Sequence, residues 1–321
     1  MEKKKVILDV DTGTDDAIAI MTAVMSENLE VLGVCAVNGN RGIDFTTENT
    51  LRVVEYLGKD IPVFRGCSLP MVVSLTEGRR EDIPYKGPKD PQDNVHGDYI
   101  DLPPATIQEQ PVSAVRWLVD TLMASEGDIT LIPVGPLTNI AMALRIEPRI
   151  AQKIKRIVIM GGGCREVNIT PTAEFNFWID PEAAKIVFDC DCDILVVPLD
   201  ATHAAAVSIR TAEALERKGT KPATLTARII RQRQNAYKHW QPMADIDSVP
   251  VHDALAVCAV LDESVLGPVV ETYADVDIGK GAADGMSIFD LDNRYKDRKK
   301  NVKVALGADP ERFADMLLNI L

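Results

Sequence analysis

Basic residues are the scarcer charge in this chain: 35 Lys and Arg stand against 48 Asp and Glu over 321 residues, a net charge of -13. A nucleic-acid or anionic-membrane surface needs clustered Lys and Arg, so that balance excludes both and suits small neutral or cationic ligands better. Long hydrophobic runs are missing too. No segment approaches the ~20 continuous apolar residues of a membrane-spanning helix. Met1-Glu2-Lys3-Lys4-Lys5 leads straight into a strand without the apolar stretch of a signal peptide, which predicts a cytoplasmic protein. Six cysteines show no C-x-x-C spacing, and several sit in apolar runs, so reduced, buried thiols are expected. Cys190-Asp191-Cys192 falls at a helix-to-strand junction with no partner cluster for a metal. Histidine occurs only four times. There is no internal repeat or low-complexity tract, and Gly161-Gly162-Gly163 lacks the G-x-G-x-x-G spacing of a dinucleotide site.

What is present is enough apolar residue, 46%, for a sizeable core, with no break that forces two domains across 1–321. Strand-like and helix-like segments alternate: strand Val6 to Val10, helix 15–27, strand Val31 to Val37, helix 44–58 and a short apolar Ile61 to Phe64. Helix 112–125, strand Ile129 to Val134, helix 137–145, strand Ile157 to Met160, helix 181–189 and strand Ile194 to Val197 follow. This is the βαβ pattern of an α/β protein with an open, mostly parallel, twisted sheet flanked by helices. A proline-rich stretch at about 66–111 reads as one long irregular loop of the kind that forms lids or binding loops. The part from about 205 to 265 reads as helical, with helices near 208–218, 222–240 and 252–262, and a last helix follows Pro310.

The densest chemistry is Asp9-Val10-Asp11-Thr12-Gly13-Thr14-Asp15-Asp16, between the first strand and the first helix. The turn lies at the carboxyl edge of the sheet, where open α/β folds place ligands. Four carboxylates repel, a helix N-terminus offsets part of that, and a divalent cation would neutralise the rest. An acidic first helical turn accounts for Asp15 and Asp16 but leaves Asp9 and Asp11 unexplained. Other strand ends carry Asn38-Gly39-Asn40, Gly135-Pro136-Leu137-Thr138-Asn139 and Gly161-Gly162-Gly163. Each is an ordinary turn alone; together with the acidic turn they outline a pocket. Asn168 to Asn176 adds two carboxamides and Glu174, good partners for sugar hydroxyls or else a loop capping the helix at Asp180-Pro181. His252-Asp253 opens an apolar helix, with Asp253 as a remote metal ligand or as an N-cap.

These residues resemble the D-x-D-P-G-x-D-D signature of the inosine-uridine nucleoside hydrolases. The resemblance continues through Gly39-Asn40, Val134 to Asn139, Met160-Gly161-Gly162, Thr170-Pro171 to Asn176 and His252-Asp253. It runs from the first strand to at least Val257, and the order and spacing of five motifs make it specific. Thr12 departs from the usual proline without removing a ligand. The resemblance implies a Rossmann-like fold, a homodimer or homotetramer, and Ca²⁺ held by Asp11, Asp16, Asp253 and the Val134 carbonyl, an all-oxygen set that suits calcium better than zinc. It also implies that Asp15, Asn40, Asn168, Glu174 and Asn176 grip the hydroxyls of a ribonucleoside, with Met160 and His96 at the substrate.

Cleavage of a ribose N-glycosidic bond builds oxocarbenium-like charge on the sugar, which a carboxylate-rich pocket stabilises. Asp11 is the expected base for the attacking water. His252, whose imidazole would be protonated near neutral pH, is the first candidate acid for the leaving base, and His96 the second. His239 or Trp240, near the end of helix 222–240, is placed to stack on a base, or Trp240 is a core residue. Two other readings stand beside this one. Asp9-Val10-Asp11 resembles the D-x-D turn of haloacid-dehalogenase-type phosphatases, with Asp9 as nucleophile, although Gly13 stands where that motif wants Thr or Val. A non-catalytic nucleoside-binding protein would need no poised water.

Overall fold

The computed structural model describes residues 2–80, 95–241, 243 and 245–321. Among them, the strands in chain order are β1 (Lys4–Val10), β2 (Leu29–Ala36), β3 (Val63–Arg65), β4 (Ile129–Pro133), β5 (Ile154–Met160), β6 (Ile194–Val197), β7 (Val207–Ser208), β8 (Ser248–Val249), β9 (Val269–Thr272), β10 (Ala274–Val276), β11 (Ser287–Phe289) and β12 (Val302–Ala305). The helices are α1 (Thr14–Met25), α2 (Ile43–Leu57), α3 (Ala114–Ala124), α4 (Thr138–Ile146), α5 (Phe175–Ile179), α6 (Pro181–Phe188), α7 (Leu199–Ala204), α8 (Ile209–Lys218), α9 (Lys221–Trp240), α10 (His252–Leu261) and α11 (Pro310–Ile320).

Eight strands form one sheet in the order β3-β2-β1-β4-β5-β6-β12-β9, parallel throughout except for β9, which pairs antiparallel at the edge. The mostly parallel α/β expectation is therefore met. Side-chain alternation in β1 sends Val6, Leu8 and Val10 to one face, under α1, α9, α10 and α11, and Ile7 to the other, under α3, α4 and α6. Helices α1 and α10 are apolar nearly all round and pack against each other inside the first layer. Consecutive connections leave β1 in opposite directions at the β1/β4 step, so a crevice opens beyond their carboxyl ends.

The sheet is larger than the sequence pattern suggests. Strands β9 to β12 fall in a stretch assigned no element, because they are three or four residues long and β12 sits behind a charged run. The described parts of the long excursion, 66–80 and 95–111, hold only a one-turn 3₁₀ helix, Val73–Leu75. Residues 81–94 of that loop lie outside the described residues. Its flanks are pinned firmly. Arg79 pairs with Glu182 and Asp284, Arg80 pairs with Asp284 and stacks on Trp178, and Ile100 N donates to Asn49 Oδ1 at 3.0 Å. All six cysteines are free, but only Cys35 and Cys258 are fully buried; the other four, including Cys190 and Cys192, are half-buried.

Candidate active site

The acidic turn sits at the crevice, and hydrogen bonds shape it. Gly13 caps α1, and Asp16 reaches back to accept from Gly13 N at 2.9 Å and from Asp11 N at 3.1 Å. Asp11 Oδ2 accepts from Asn40 N at 2.7 Å. Its carboxylate is wedged between two glycines: a Cβ built on Gly39 would stand 2.0 Å from Oδ2, and one on Gly135 would stand 2.6 Å from Oδ1. Gly13 likewise makes room for the His96 ring. Thr12, the departure from proline, is buried and shares a 2.7 Å hydrogen bond with Thr50 Oγ1. Asp253 arrives on the second turn-forming element. It lies in the first turn of α10, whose N-cap is Val251, so the N-cap alternative for Asp253 is not realised. Both α1 and α10 point their N-termini at the cluster, which favours negative charge there.

The carboxylates of Asp15, Asp16 and Asp253 approach within 4.8 Å of one another. Burial raises Asp11 well above the usual carboxylate range, with the Asp16 charge adding to it; burial also lifts Asp16 to about 7 and Asp253 well above its ordinary value. Burial pushes Asp15 upward too, but the Arg233 guanidinium, helped by His96 and His252, more than offsets it and leaves this carboxyl below its ordinary value. Mutual repulsion in a dry cluster of oxygen donors fits a hard divalent cation. Asp15 lies in the same dry cluster, but its Oδ1 is paired with Arg233 Nη1 at 2.9 Å.

A second arc comes from the loop before α5. Glu174 caps α5 through Asn176 N and Phe177 N and also accepts from Gly162 N at 2.8 Å. Burial lifts its carboxyl to about 7 despite these bonds. Asn176 Nδ2 donates to the Val134 carbonyl at 2.8 Å and to the Met160 carbonyl at 3.2 Å, joining the ends of β4 and β5. Asn168 Oδ1 accepts from Phe175 N at 2.9 Å. Asp11, Asp15, Asn40, His96, Val134, Met160, Asn168, Glu174, Asn176, His252 and Asp253 all line one cavity of about 690 Å³, open mouth included. Asp16 lies just behind it, hydrogen-bonded to the backbone of the turn.

The histidines differ from expectation. His252 is buried, and burial holds its pKa well below the usual value, so the resting imidazole is neutral rather than protonated near neutral pH. Its Nδ1 lies 2.7 Å from Thr202 Oγ1 and its Nε2 lies 2.7 Å from Tyr237 Oη. Thr202 Oγ1 donates onward to the Leu199 carbonyl, which leaves Nδ1 as the protonated nitrogen and Nε2 as acceptor of the tyrosine proton. His96 accepts from Thr14 N at 3.2 Å, and burial lowers it to about 4.

Helix α9 turns Arg233 and Tyr237, one helical turn apart, into the cavity and leaves His239 exposed, so His239 does not stack in this pocket. The environment of the Trp240 side chain lies outside the described residues. Arg233, Tyr237 and Arg41 line the cavity without having been expected there. The i, i+4 spacing of Arg233 and Tyr237 was the available signal, but a helical arginine ordinarily faces solvent. Two strand-end residues also go elsewhere. Asn139 turns to the opposite face of the sheet, where its Nδ2 donates to Asp9 Oδ2 at 2.9 Å, and Asn38 Nδ2 donates to the Cys67 carbonyl. Asp9 is buried on that same face, outside the cavity, which removes the nucleophile that the phosphatase reading requires.

Comparison with known proteins agrees with this geometry. The family model for inosine-uridine preferring nucleoside hydrolases matches residues 6–315. The chain is 36% identical to the pyrimidine-specific ribonucleoside hydrolase RihB of Escherichia coli K12, over 98% of this chain and 95% of that protein. Its structure is similar to the purine-preferring ribonucleoside hydrolase of Gardnerella vaginalis, at a TM-score of 0.85 and 27% identity over 98% of this chain and 97% of that one. It is also similar to the plant nucleoside hydrolase PpNRh1, at a TM-score of 0.84 and 31% identity, covering 98% of each chain. With the acidic turn, the Glu174 arc and His252-Asp253 converging on one cavity, the chain belongs to the inosine-uridine preferring nucleoside hydrolase family, enzymes that hydrolyse the N-ribosyl bond.

Proposed function

We propose that this chain hydrolyses ribonucleosides to free base and ribose with calcium as its resident metal, held by Asp11, Asp16, Asp253 and the Val134 carbonyl. The observation that carries the reading is the Asp11 carboxylate, clamped between Gly39 and Gly135 and lining the cavity beside Asp15 and Asp253. Bound calcium would lower the pKa of the attacking water and draw in the ribose diol. Asp11 accepts the proton of that water as it attacks C1′. Asp15, Asn40, Asn168, Glu174 and Asn176 hold the sugar hydroxyls, and their carboxylates stabilise the positive charge that grows on the ring. Met160 lies against the sugar from the end of β5. The leaving base faces Tyr237 and His252; once the His252 ring has taken up a proton from solvent, Nε2 would donate to Tyr237 Oη as the tyrosine proton passes to the departing nitrogen. His96, pinned to Thr14, closes the same wall.

Relatives named for pyrimidine and for purine substrates match this fold with similar coverage, so base preference is assigned to neither class. The deciding assay measures ribose released from inosine, uridine and cytidine by purified protein, after chelation and after calcium add-back. Release that chelation abolishes and calcium restores is expected. Stoichiometric calcium binding with no release from any nucleoside would move the non-catalytic binding reading to the front.

A further inference from the structure

Helix α9 carries one cation into the acidic pocket. Arg233 is 1% exposed and is the bulkiest fully buried side chain among the described residues. Its Nε donates to the Pro250 carbonyl at 3.1 Å, Nη1 to Thr14 Oγ1 at 2.9 Å and Nη2 to Tyr237 Oη at 3.4 Å, so the planar guanidinium is fixed from three sides. Its Nη1 also stands 2.9 Å from Asp15 Oδ1, on which His96 Nδ1 looks from 3.6 Å.

Asp15 occupies a contested position. Its carboxylate comes within 4.8 Å of those of Asp16 and Asp253, close enough for a single cation to gather all three. The same carboxylate is the partner of Arg233. A fixed guanidinium and a divalent cation therefore compete for one side chain, and the guanidinium is always charged. No other carboxylate of the cluster has an arginine ion pair among the described residues.

We propose that Arg233 is a positioning residue that keeps Asp15 out of the metal's ligand shell and reserves its carboxylate for the substrate. This rests on the calcium reading of the site. Removing the guanidinium frees Asp15 and makes the cluster more negative, so the site should take cations more tightly and nucleosides less well. A merely structural role for Arg233 would weaken both.

The test is calorimetric titration of calcium into metal-free wild type, Arg233→Gln, Arg233→Lys and the double variant Asp15→Asn/Arg233→Gln, with KM and kcat for uridine alongside. For Arg233→Gln, calcium affinity should tighten roughly ten-fold and KM should rise by about the same factor. Arg233→Lys, which keeps the charge, should stay near the wild-type calcium affinity. The double variant removes the ion pair as a unit, so its calcium affinity should return to within about two-fold of wild type. It also leaves no unpaired buried charge, which keeps the test open if Arg233→Gln does not fold. Unchanged or weaker calcium binding by Arg233→Gln overturns the inference. So does a double variant about ten-fold weaker than wild type, since Asp15 would then be a metal ligand. Wild type that takes no calcium would bring down the metal reading itself and this inference with it.

Discussion

His252 shows how burial assigns a residue its chemistry. A histidine beside an aspartate at the start of a helix reads from sequence as a group poised to titrate near neutrality. In the folded protein it is dry, neutral and bonded on both nitrogens, to Thr202 and Tyr237. Any proton it delivers has to be gained during the reaction, as negative charge builds on the leaving base. His252→Ala should therefore lower kcat on natural nucleosides by about 10²–10⁴. It should leave a nitrophenyl riboside, whose leaving group needs no proton, nearly unaffected. Equal losses on the two substrates would remove His252 from proton delivery and leave it a wall of the cavity. The same scale explains Thr12. A buried hydroxyl in place of a ring is tolerated because Thr50 supplies its partner and passes the bond on to the Thr46 carbonyl.

At the scale of elements, the site depends on how loops are tied to the sheet. Asp180 accepts from Met71 N, Thr138 Oγ1 and Ala183 N, so one carboxylate caps α6, holds the start of α4 and fastens the long loop. Asp180→Ala should cost about 2–4 kcal/mol by loss of the cap and of buried bonds, read as a lowered thermal midpoint. A midpoint within a degree of wild type would show that the ties through Arg79, Arg80 and Ile100 hold the loop without this carboxylate. Much of this scaffold is legible in the sequence. The strands through β6 and the helices α1 to α4, α6 and α8 to α10 fall where apolar periodicity puts them, because burial on both faces of a parallel sheet leaves continuous apolar runs, whereas α5 and α7, of five and six residues, are too short to show a period. The motif residues are legible as a set, since strand ends in such a fold share one rim. Which way a side chain faces at that rim is not. Asn139 and Asp9 look like pocket residues by position, yet the two-residue alternation of β1 carries Asp9 to the far face, where Asn139 meets it. Arg233 is hidden for the opposite reason: its partner, Asp15, lies 218 residues away in the chain, and no local pattern announces a buried ion pair.

For the molecule as a whole, the buried carboxyls set the pH dependence of stability. Burial raises Asp180 from 3.8 to about 6 and Glu174 from 4.5 to about 7. A group whose pKa is higher in the folded than in the unfolded chain binds its proton better when folded. Its contribution is complete below about pH 4 and is lost as the pH rises through the folded value. Metal-free protein should therefore lose thermal stability between about pH 5 and pH 8, and Glu174→Gln should flatten the upper part of that fall. A midpoint that climbs over the same range would mean that these carboxyls are ionised in the folded chain.

The acidic cluster joins the first turn of the chain to residue 253, and no shorter stretch contains it. Asp15 and Asp16 leave the ribosome early, while Asp253 follows only when some four-fifths of the 321 residues have been made. Until α10 docks against α1, the turn has acidic side chains but no enclosed cage. On the calcium reading, cation binding is thus a report on chain closure, and a nascent or truncated chain ending before α10 lacks the carboxylate that completes the cluster.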